Sequence, residues 1–133
     1  MPITIEKVLL LKQFSLFKEV SNVALSDLIA LSEECHFPVG EVLIQAGEPN
    51  SYAYFIIAGQ VTSTSTDNTT QISNKQVIGL DSVFWNASVT TTFKATQEVF
   101  ALKVHQDKLY RMMSLHPSLA MAILNELSTF IHR

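Results

Sequence analysis

The sequence predicts a mainly β domain with helices at both ends, and its glycines carry much of that prediction. Gly40, Gly47 and Gly59 each border a β-prone run, which is typical of turns between short antiparallel strands. Strands this short and closely spaced favour a small barrel, roll or sandwich over an α/β fold. Apolar residues at helical spacing lie before and after this region, and 133 residues suit one domain with its own core.

Two helices are predicted before the strands. The first spans residues 4–12, and the second begins at a cap provided by Ser21 or Asn22. Apolar residues of the second helix recur at helical spacing, at Leu25, Leu28, Ile29 and Leu31. Glu33 and Glu34 are assigned to the solvated face of this helix, in preference to a carboxylate pair for acid–base catalysis.

The threonine- and serine-rich residues 62–73 are predicted to form a polar hairpin. Asp67-Asn68 suits a hairpin tip, and β-branched residues favour strands, which places the strands near residues 61–65 and 69–73. A disordered, phosphorylatable tract is the alternative interpretation.

Residues 77–95, VIGLDSVFWNASVTTTFKA, form the stretch most suggestive of a ligand site. A strand ends at Gly79, a helical turn spans residues 80–85, and a polar bend at residues 86–88 leads into a strand over residues 89–95. Such an arrangement can cradle an anion, because the first amides of the helical turn have no intrahelical partner.

The C-terminal part is predicted to contain a strand at 99–104, a turn at 105–107 and a helix at 108–114, with Leu109 and Met112 inward. Pro117 suits the first position of a final helix. One apolar stripe follows that helix, formed by Ala120, Ile123, Leu124, Leu127, Phe130 and Ile131. This stripe is either a packing face or a face for a dimer partner or effector.

Composition excludes several classes of function. Apolar residues make up 47% of the chain and charged residues 16%, which indicates a globular protein, and the net charge of −3 gives no general footprint for nucleic acid. Cys35 is alone, so no internal disulfide is expected. The apolar run at residues 8–11 is too short for a signal peptide or a membrane span, so we expect a soluble, cytoplasmic protein.

The sequence also argues against an enzyme. The histidines at 36, 105, 116 and 132 are not spaced as metal ligands, and a metallo-cupin would need a His-x-His pair within the strands. No Gly-x-Ser-x-Gly turn presents a nucleophile. We therefore expect neither catalytic residues nor a metal site.

Three segments carry a resemblance to a known family. They are Leu16-Phe17 followed by LSDL at 25–28, FPVGEVLIQAGEP at 37–49, and YFIIAGQV at 54–61. With the order of helices and strands, they resemble the cyclic-nucleotide-binding domains of the catabolite-activator and kinase-regulatory-subunit type. The resemblance covers nearly the whole chain. It implies an antiparallel β-roll of the jelly-roll kind, with N-terminal helices at 1–34, the roll at 35–104 and C-terminal helices at 105–133.

The resemblance also implies that residues 78–92 form a phosphate-binding cassette, with cAMP or cGMP as ligand. In the family, amides after a glycine hold the cyclic phosphate, an arginine pairs with it, and a glutamate accepts the ribose hydroxyl. The implied pocket comprises Gly79, Leu80, Asp81, Ser82, Val89, Thr90 and Thr91.

This sequence departs from the family pattern at both charged anchors. Leu80 stands where the glutamate is expected and Val89 where the arginine is expected, and Asn74-Lys75 replaces a Pro-Gly turn. We therefore expect lost or altered nucleotide binding. The alternative is a functional cAMP or cGMP sensor that uses backbone amides and the hydroxyls of the cassette.

Together these observations predict a non-catalytic regulatory or sensory module within a single domain, residues 1–133. The family's C-terminal helix moves with ligand and biases an effector, so we expect action through residues 119–131 on a partner or attached effector, with a homodimer as one form. No helix-turn-helix follows that helix, so direct binding to nucleic acid is not expected.

Overall fold

The computed structural model describes residues 4–66, 68–72, 74–85 and 89–131, and it confirms the predicted mainly β fold with flanking helices. The helices are α1 (Thr4–Lys12), α2 (Asn22–Leu31), α3 (Leu80–Trp85), α4 (Gln106–Leu115) and α5 (Pro117–Ile131), with a short 3-10 helix at Ser15–Phe17. Asp67 and the predicted bend at residues 86–88 lie outside the described residues.

The described strands form two four-stranded antiparallel sheets, which make up the β-roll. The strands are β1 (Glu33–Phe37), β2 (Val42–Ile44), β3 (Tyr52–Ala58), β4 (Val61–Thr64), β5 (Thr69–Ile72), β6 (Gln76–Ile78), β7 (Thr92–Ala95) and β8 (Val99–His105). The strand order is β1-β8-β3-β6 in the first sheet and β2-β7-β4-β5 in the second. The predicted polar hairpin is confirmed as the β4–β5 pair.

Successive residues of β3 serve two separate cores, because side chains alternate across a strand. Phe55 packs with Phe14 and Phe17 in the helix-side core, which the helices build against the first sheet. Tyr54 and Ile56 face the inter-sheet core, which lies between the two sheets. The helices thus cover one face of a sheet whose other face closes the roll.

Some element boundaries correct the sequence-based prediction. Glu33 and Glu34 lie in β1 and not on α2, because Ser32 adopts an extended conformation that ends the helix and β1 pairs with β8. The ammonium of Lys103 lies 3.8 Å from the Glu33 carboxylate, and Lys7 pairs with Glu34. Charge pairing across the strand and to α1 therefore explains two acidic residues that helical periodicity alone misassigns.

Two further boundaries differ in the C-terminal half. The strand predicted from residue 89 begins at Thr92. No separate turn occupies residues 105–107, because β8 continues to His105, whose ring accepts a hydrogen bond from the Asp107 amide and caps α4. Leu109 and Met112 are buried as predicted, and Pro117 begins α5 as predicted.

Within the described ranges, none of the helices combines the length and the hydropathy that a bilayer span requires.

Candidate functional site

The segment from β6 through α3 to β7, here called the cassette, is shaped by Gly79. This glycine has a φ of +91°, a conformation that residues with a Cβ rarely adopt. A Cβ placed on it would lie 2.5 Å from the carbonyl oxygen of Tyr52. The close passage of β3 therefore requires a glycine where the chain enters α3.

The short helix α3 divides its side chains between two environments. Leu80 is 1% exposed and packs in the helix-side core, and Val83 is buried beside it. Asp81, Ser82 and Trp85 lie on the other face and line a cavity at the cassette. Leu80 is thus not part of the lining, contrary to the pocket predicted from sequence, because spacing along a helix turns it toward the core.

The cassette cavity has a volume of about 70 Å³. Small-molecule sites are usually clefts of roughly 300 Å³ or more, so this cavity alone is too small for a nucleotide, but a larger cavity adjoins it and shares part of its lining. Val89 is 8% exposed and belongs to the inter-sheet core, where it narrows this space. The structure brings six predicted pocket residues together with three others, and the complete lining is Ile44, Gly79, Asp81, Ser82, Trp85, Val89, Thr90, Thr91 and Phe93.

Asn50, which the sequence analysis did not single out, ties the cassette to the roll. Its Nδ2 donates to the carbonyl oxygen of Tyr52 at 2.8 Å and lies 2.9 Å from Ser82 Oγ. The Ser82 hydroxyl in turn donates to the carbonyl oxygen of Gly79 at 3.0 Å. An asparagine in a polar loop gives no periodic signal, so its role becomes visible only from the contact.

The loop before Asn50 also fastens the returning strand. The amide of Gly47 donates to the carbonyl oxygen of Val89 at 2.9 Å, and the amide of Ala46 donates to Thr92 Oγ1 at 3.1 Å. Gln45 Nε2 donates to the same Thr92 hydroxyl. The hydroxyls of Ser82 and Thr92 therefore have partners within the chain.

The charges around the cassette do not favour an anion. Among the described residues that line the cavity, Asp81 is the one with a charged side chain. Lys94 is exposed while its neighbour Phe93 lines the cavity, as strand alternation predicts. Lys75, with a φ of +66°, lines a second cavity of about 410 Å³ that extends to Glu126 of α5. The residues shared by the two cavities are Gly79, Asp81, Thr91 and Phe93.

The cassette helix contacts the C-terminal helices directly. The hydroxyl of Tyr110 on α4 donates to the carbonyl oxygen of Val83 at 2.7 Å, and its ring stacks edge-on against Phe84 at 5.1 Å between centroids. At the joint between α4 and α5, Nε2 of His116 lies 2.8 Å from Oδ2 of Asp27 on α2. These contacts connect the cassette to α4 and fix the start of α5.

The apolar stripe predicted on α5 is split by the structure. Ile123 and Leu127 are buried in the helix-side core together with Leu119, which the prediction omitted. Leu124 is 54% exposed and lies with Met121 on the outer face, because one residue along a helix rotates the side chain by about 100°. Ala120 is half-buried, and the side chains of Phe130 and Ile131 lie outside the described residues.

Two perturbed groups show no sign of catalytic activation. Burial raises the pKa of the Cys35 thiol to about 11, which keeps it in the unreactive protonated form near neutral pH. Burial also raises the pKa of the Tyr54 hydroxyl. Within the described ranges, His, Cys, Asp and Glu side chains do not gather in groups of three or more that could hold a metal ion.

The family of this chain is shown by a match over most of its length. Residues 34–116, well over half of the chain, match the family model described as "Cyclic nucleotide-binding domain". The chain belongs to this family. The match runs from β1 to the α4–α5 joint, so this cyclic nucleotide-binding domain contains its cassette within the matched span. Among curated proteins, no sequence matches the chain.

Solved structures show the same fold at low identity. The sensor domain of the transcriptional regulator DNR from Pseudomonas aeruginosa is 23% identical, with a TM-score of 0.81 over 99% of this chain and 93% of that one. Thermus thermophilus catabolite activator protein is 14% identical, with a TM-score of 0.81 over 88% of this chain and 58% of that one. The regulatory subunit of a cAMP-independent protein kinase A from Trypanosoma brucei is 15% identical, with a TM-score of 0.82 over 98% of this chain and 49% of that one.

Proposed function

We propose that this cyclic nucleotide-binding domain is a non-catalytic regulatory module whose cassette no longer binds cAMP or cGMP. The cassette keeps its fold without a nucleotide, and α5 transmits the conformation of the domain to a partner or an attached effector. The burial of two apolar side chains, Leu80 and Val89, where the family pattern has its charged anchors carries this proposal.

The loss of both charged anchors supports the same conclusion in energetic terms. A hydrogen bond to a charged group contributes roughly 1.5–3 kcal/mol, and an arginine would offer a phosphate two in parallel. Replacing the arginine by buried Val89 and the glutamate by buried Leu80 therefore weakens binding by about three powers of ten or more. An incoming phosphate would also face the carboxylate of Asp81 on the cavity wall.

A sensor that relies on hydroxyls has less support. Ser82 already bonds to Asn50 and to the carbonyl of Gly79. Thr90 and Thr91 line the cavity, but hydroxyls and amides alone would have to replace a charged pair. The trypanosome structure is described as a cAMP-independent kinase subunit, so the fold itself is compatible with a domain that does not depend on cAMP.

The output side of the proposal rests on α5. Its inner face packs on the helix-side core, while Met121 and Leu124 are 58% and 54% exposed and available for a second copy or an effector. The contact of Tyr110 with Val83 connects the cassette to α4, and Pro117 begins α5 directly after α4. A change at either end of this path would alter the position of α5.

Isothermal titration of the full chain with cAMP and with cGMP tests the input side. We expect no saturable heat of binding at nucleotide concentrations below about 1 mM. Without the two charged anchors, the dissociation constant of any residual binding should be about 1 mM or higher. Thr90→Val is the informative variant, and Thr69→Val, exposed in β5, is its matched control. Micromolar binding of either nucleotide that weakens with Thr90→Val but not with Thr69→Val would overturn the proposal and establish the hydroxyl-based sensor.

A further inference from the structure

An apolar slot lies on the face of the first sheet opposite the inter-sheet core, well away from the cassette. Its volume is about 280 Å³, near the lower end of the usual range for small-molecule sites. Lys7 and Leu10 of α1 form one wall, and the ends of β3 and β8 form the rest, with the complete lining Lys7, Leu10, Ile57, Ala58, Phe100, Ala101 and Leu102.

The floor of the slot coincides with an irregularity in the sheet. Ile56 pairs with Ala101 and Ala58 pairs with Phe100, so Ile57 is an extra residue between two pairs. Such bulges redirect side chains locally and often lie beside binding sites. Phe100 remains 36% exposed here, although its neighbour Leu102 is buried beneath the helices. The helical layer therefore leaves apolar surface open at this end of the sheet.

The chemistry of the lining differs from that of the other large cavities. Those include acidic side chains, Glu19 and Glu126 in one and Asp81 and Glu126 in another. The described lining of the slot contains no acidic residue, and its one charged group is the ammonium of Lys7 at the rim. Lys7 already pairs with the carboxylate of Glu34, whose side chain is 34% exposed.

We propose that this slot binds a small amphipathic carboxylate, with a straight aliphatic chain against Ile57, Phe100 and Leu102 and the carboxylate at Lys7. The ligand carboxylate takes the place of Glu34, so the ion pair is exchanged and the apolar chain supplies the gain in affinity. A methylene group occupies about as much volume as a water molecule, roughly 30 Å³. The slot volume therefore suits an aliphatic chain of roughly eight to ten carbons.

Titration of the ¹⁵N-labelled full chain with octanoate, followed by NMR, tests the proposal. We expect saturable shifts concentrated on the amides of residues 7–10, 57–58 and 100–102. Because each buried methylene adds a similar increment, hexanoate should bind roughly tenfold more weakly and decanoate roughly tenfold more tightly. Octylamine should bind more weakly than octanoate, because Lys7 lines the slot and Glu34 does not, so the amine would face the ammonium of Lys7.

Two variants distinguish the contribution of the aliphatic chain of octanoate from that of its carboxylate. Ala58→Leu fills the slot and should abolish octanoate binding, whereas Val23→Leu, on an exposed part of α2, should leave it unchanged. Lys7→Gln should weaken octanoate severalfold without changing the affinity for octan-1-ol. If Ala58→Leu does not fold, the proposal is tested by the octanoate-induced chemical-shift changes of the unaltered protein and by the affinity of Lys7→Gln.

Three results would overturn the proposal. They are shifts centred on the exposed residues of α5, an affinity that does not change with chain length, and octylamine binding as tight as that of octanoate. None of them bears on whether the cassette binds a nucleotide, because the slot and the cassette share no lining residue.

Discussion

The cassette and the joint between α4 and α5 differ in what holds them in place. The cassette is closed by buried side chains and by a glycine pressed against β3, with Val89 in one core and Leu80 in the other. The joint is held at its surface by the pair of His116 with Asp27, the latter with a side chain 51% exposed. Among its described residues, the cassette therefore has no exposed ion pair to lose, whereas the joint combines a pair that costs little to break with helices that Met112 and Leu119 pack into the helix-side core.

If the cassette has lost its nucleotide as proposed, this difference explains how the domain keeps its fold. Leu80 and Val89 each lie in a core, so hydrophobic packing holds both ends of the cassette. At the joint, the partly exposed pair of His116 with Asp27 contributes only about 0–1 kcal/mol. Substitutions at the cassette and at the joint should therefore have effects of different size and extent.

The largest expected effect separates the two faces of α5. Ile123→Ala removes a buried side chain from the helix-side core and should lower the free energy of unfolding by about 2–5 kcal/mol. Leu124→Ala, one residue along on the exposed face, should change it by no more than about 0.5 kcal/mol. Urea unfolding measures both values. Similar losses for the two variants, at a concentration where sedimentation shows a monomer, would contradict the assignment of the faces.

The next effect tests the packing of the cassette. Gly79→Ala and Gly40→Ala both place a Cβ on a residue with φ near +90°, which costs about 1–2 kcal/mol. Only at Gly79 does the new Cβ meet a backbone oxygen, that of Tyr52, whereas at Gly40 it meets open space. Gly79→Ala should therefore lower the free energy of unfolding by about 3 kcal/mol or more. If the two variants lose the same free energy of unfolding, the backbone around Gly79 can shift to accommodate a Cβ. The cassette would then not be more rigidly packed than the joint.

The fold was predictable because its signals are local. Glycine turns, alternating strands and the hairpin tip each lie within a few residues, and their order leads to the β-roll. Helical periodicity misassigns Glu33 and Glu34, because their partners, Lys103 and Lys7, are distant in sequence. The split stripe of α5 has the same origin, since a run of apolar residues does not show which of them a core will bury.

The cassette was predictable in outline but not in its contacts. The replacements at Leu80 and Val89 are visible in the sequence, yet their separation into different cores depends on where α3 points. Asn50 gives no periodic signal, and the contact of Tyr110 with Val83 joins residues 27 positions apart. Long-range polar contacts of this kind become visible only when the chain is folded.

The smallest expected effects compare one polar link at the cassette with one at the joint. Asn50→Ala removes the donor to the Tyr52 carbonyl and to Ser82 Oγ, although the Ser82 hydroxyl keeps its bond to the Gly79 carbonyl. It should lower the free energy of unfolding by about 1–2 kcal/mol and speed amide exchange in α3. Asp27→Ala breaks a partly exposed pair and should cost about 0.2–1 kcal/mol, with faster exchange confined to the first turn of α5. Hydrogen–deuterium exchange resolves the two regions.

Glu48→Ala serves as the control, because Glu48 is exposed in the same loop as Asn50 and should leave α3 exchange unchanged. The decisive quantity is the extent of the change for Asp27→Ala. If that variant speeds exchange throughout the helix-side core as much as at the start of α5, the joint is part of the packed core. A local change at α5, beside a larger loss of stability for Asn50→Ala, would instead leave α5 as the element that moves while the cassette stays closed.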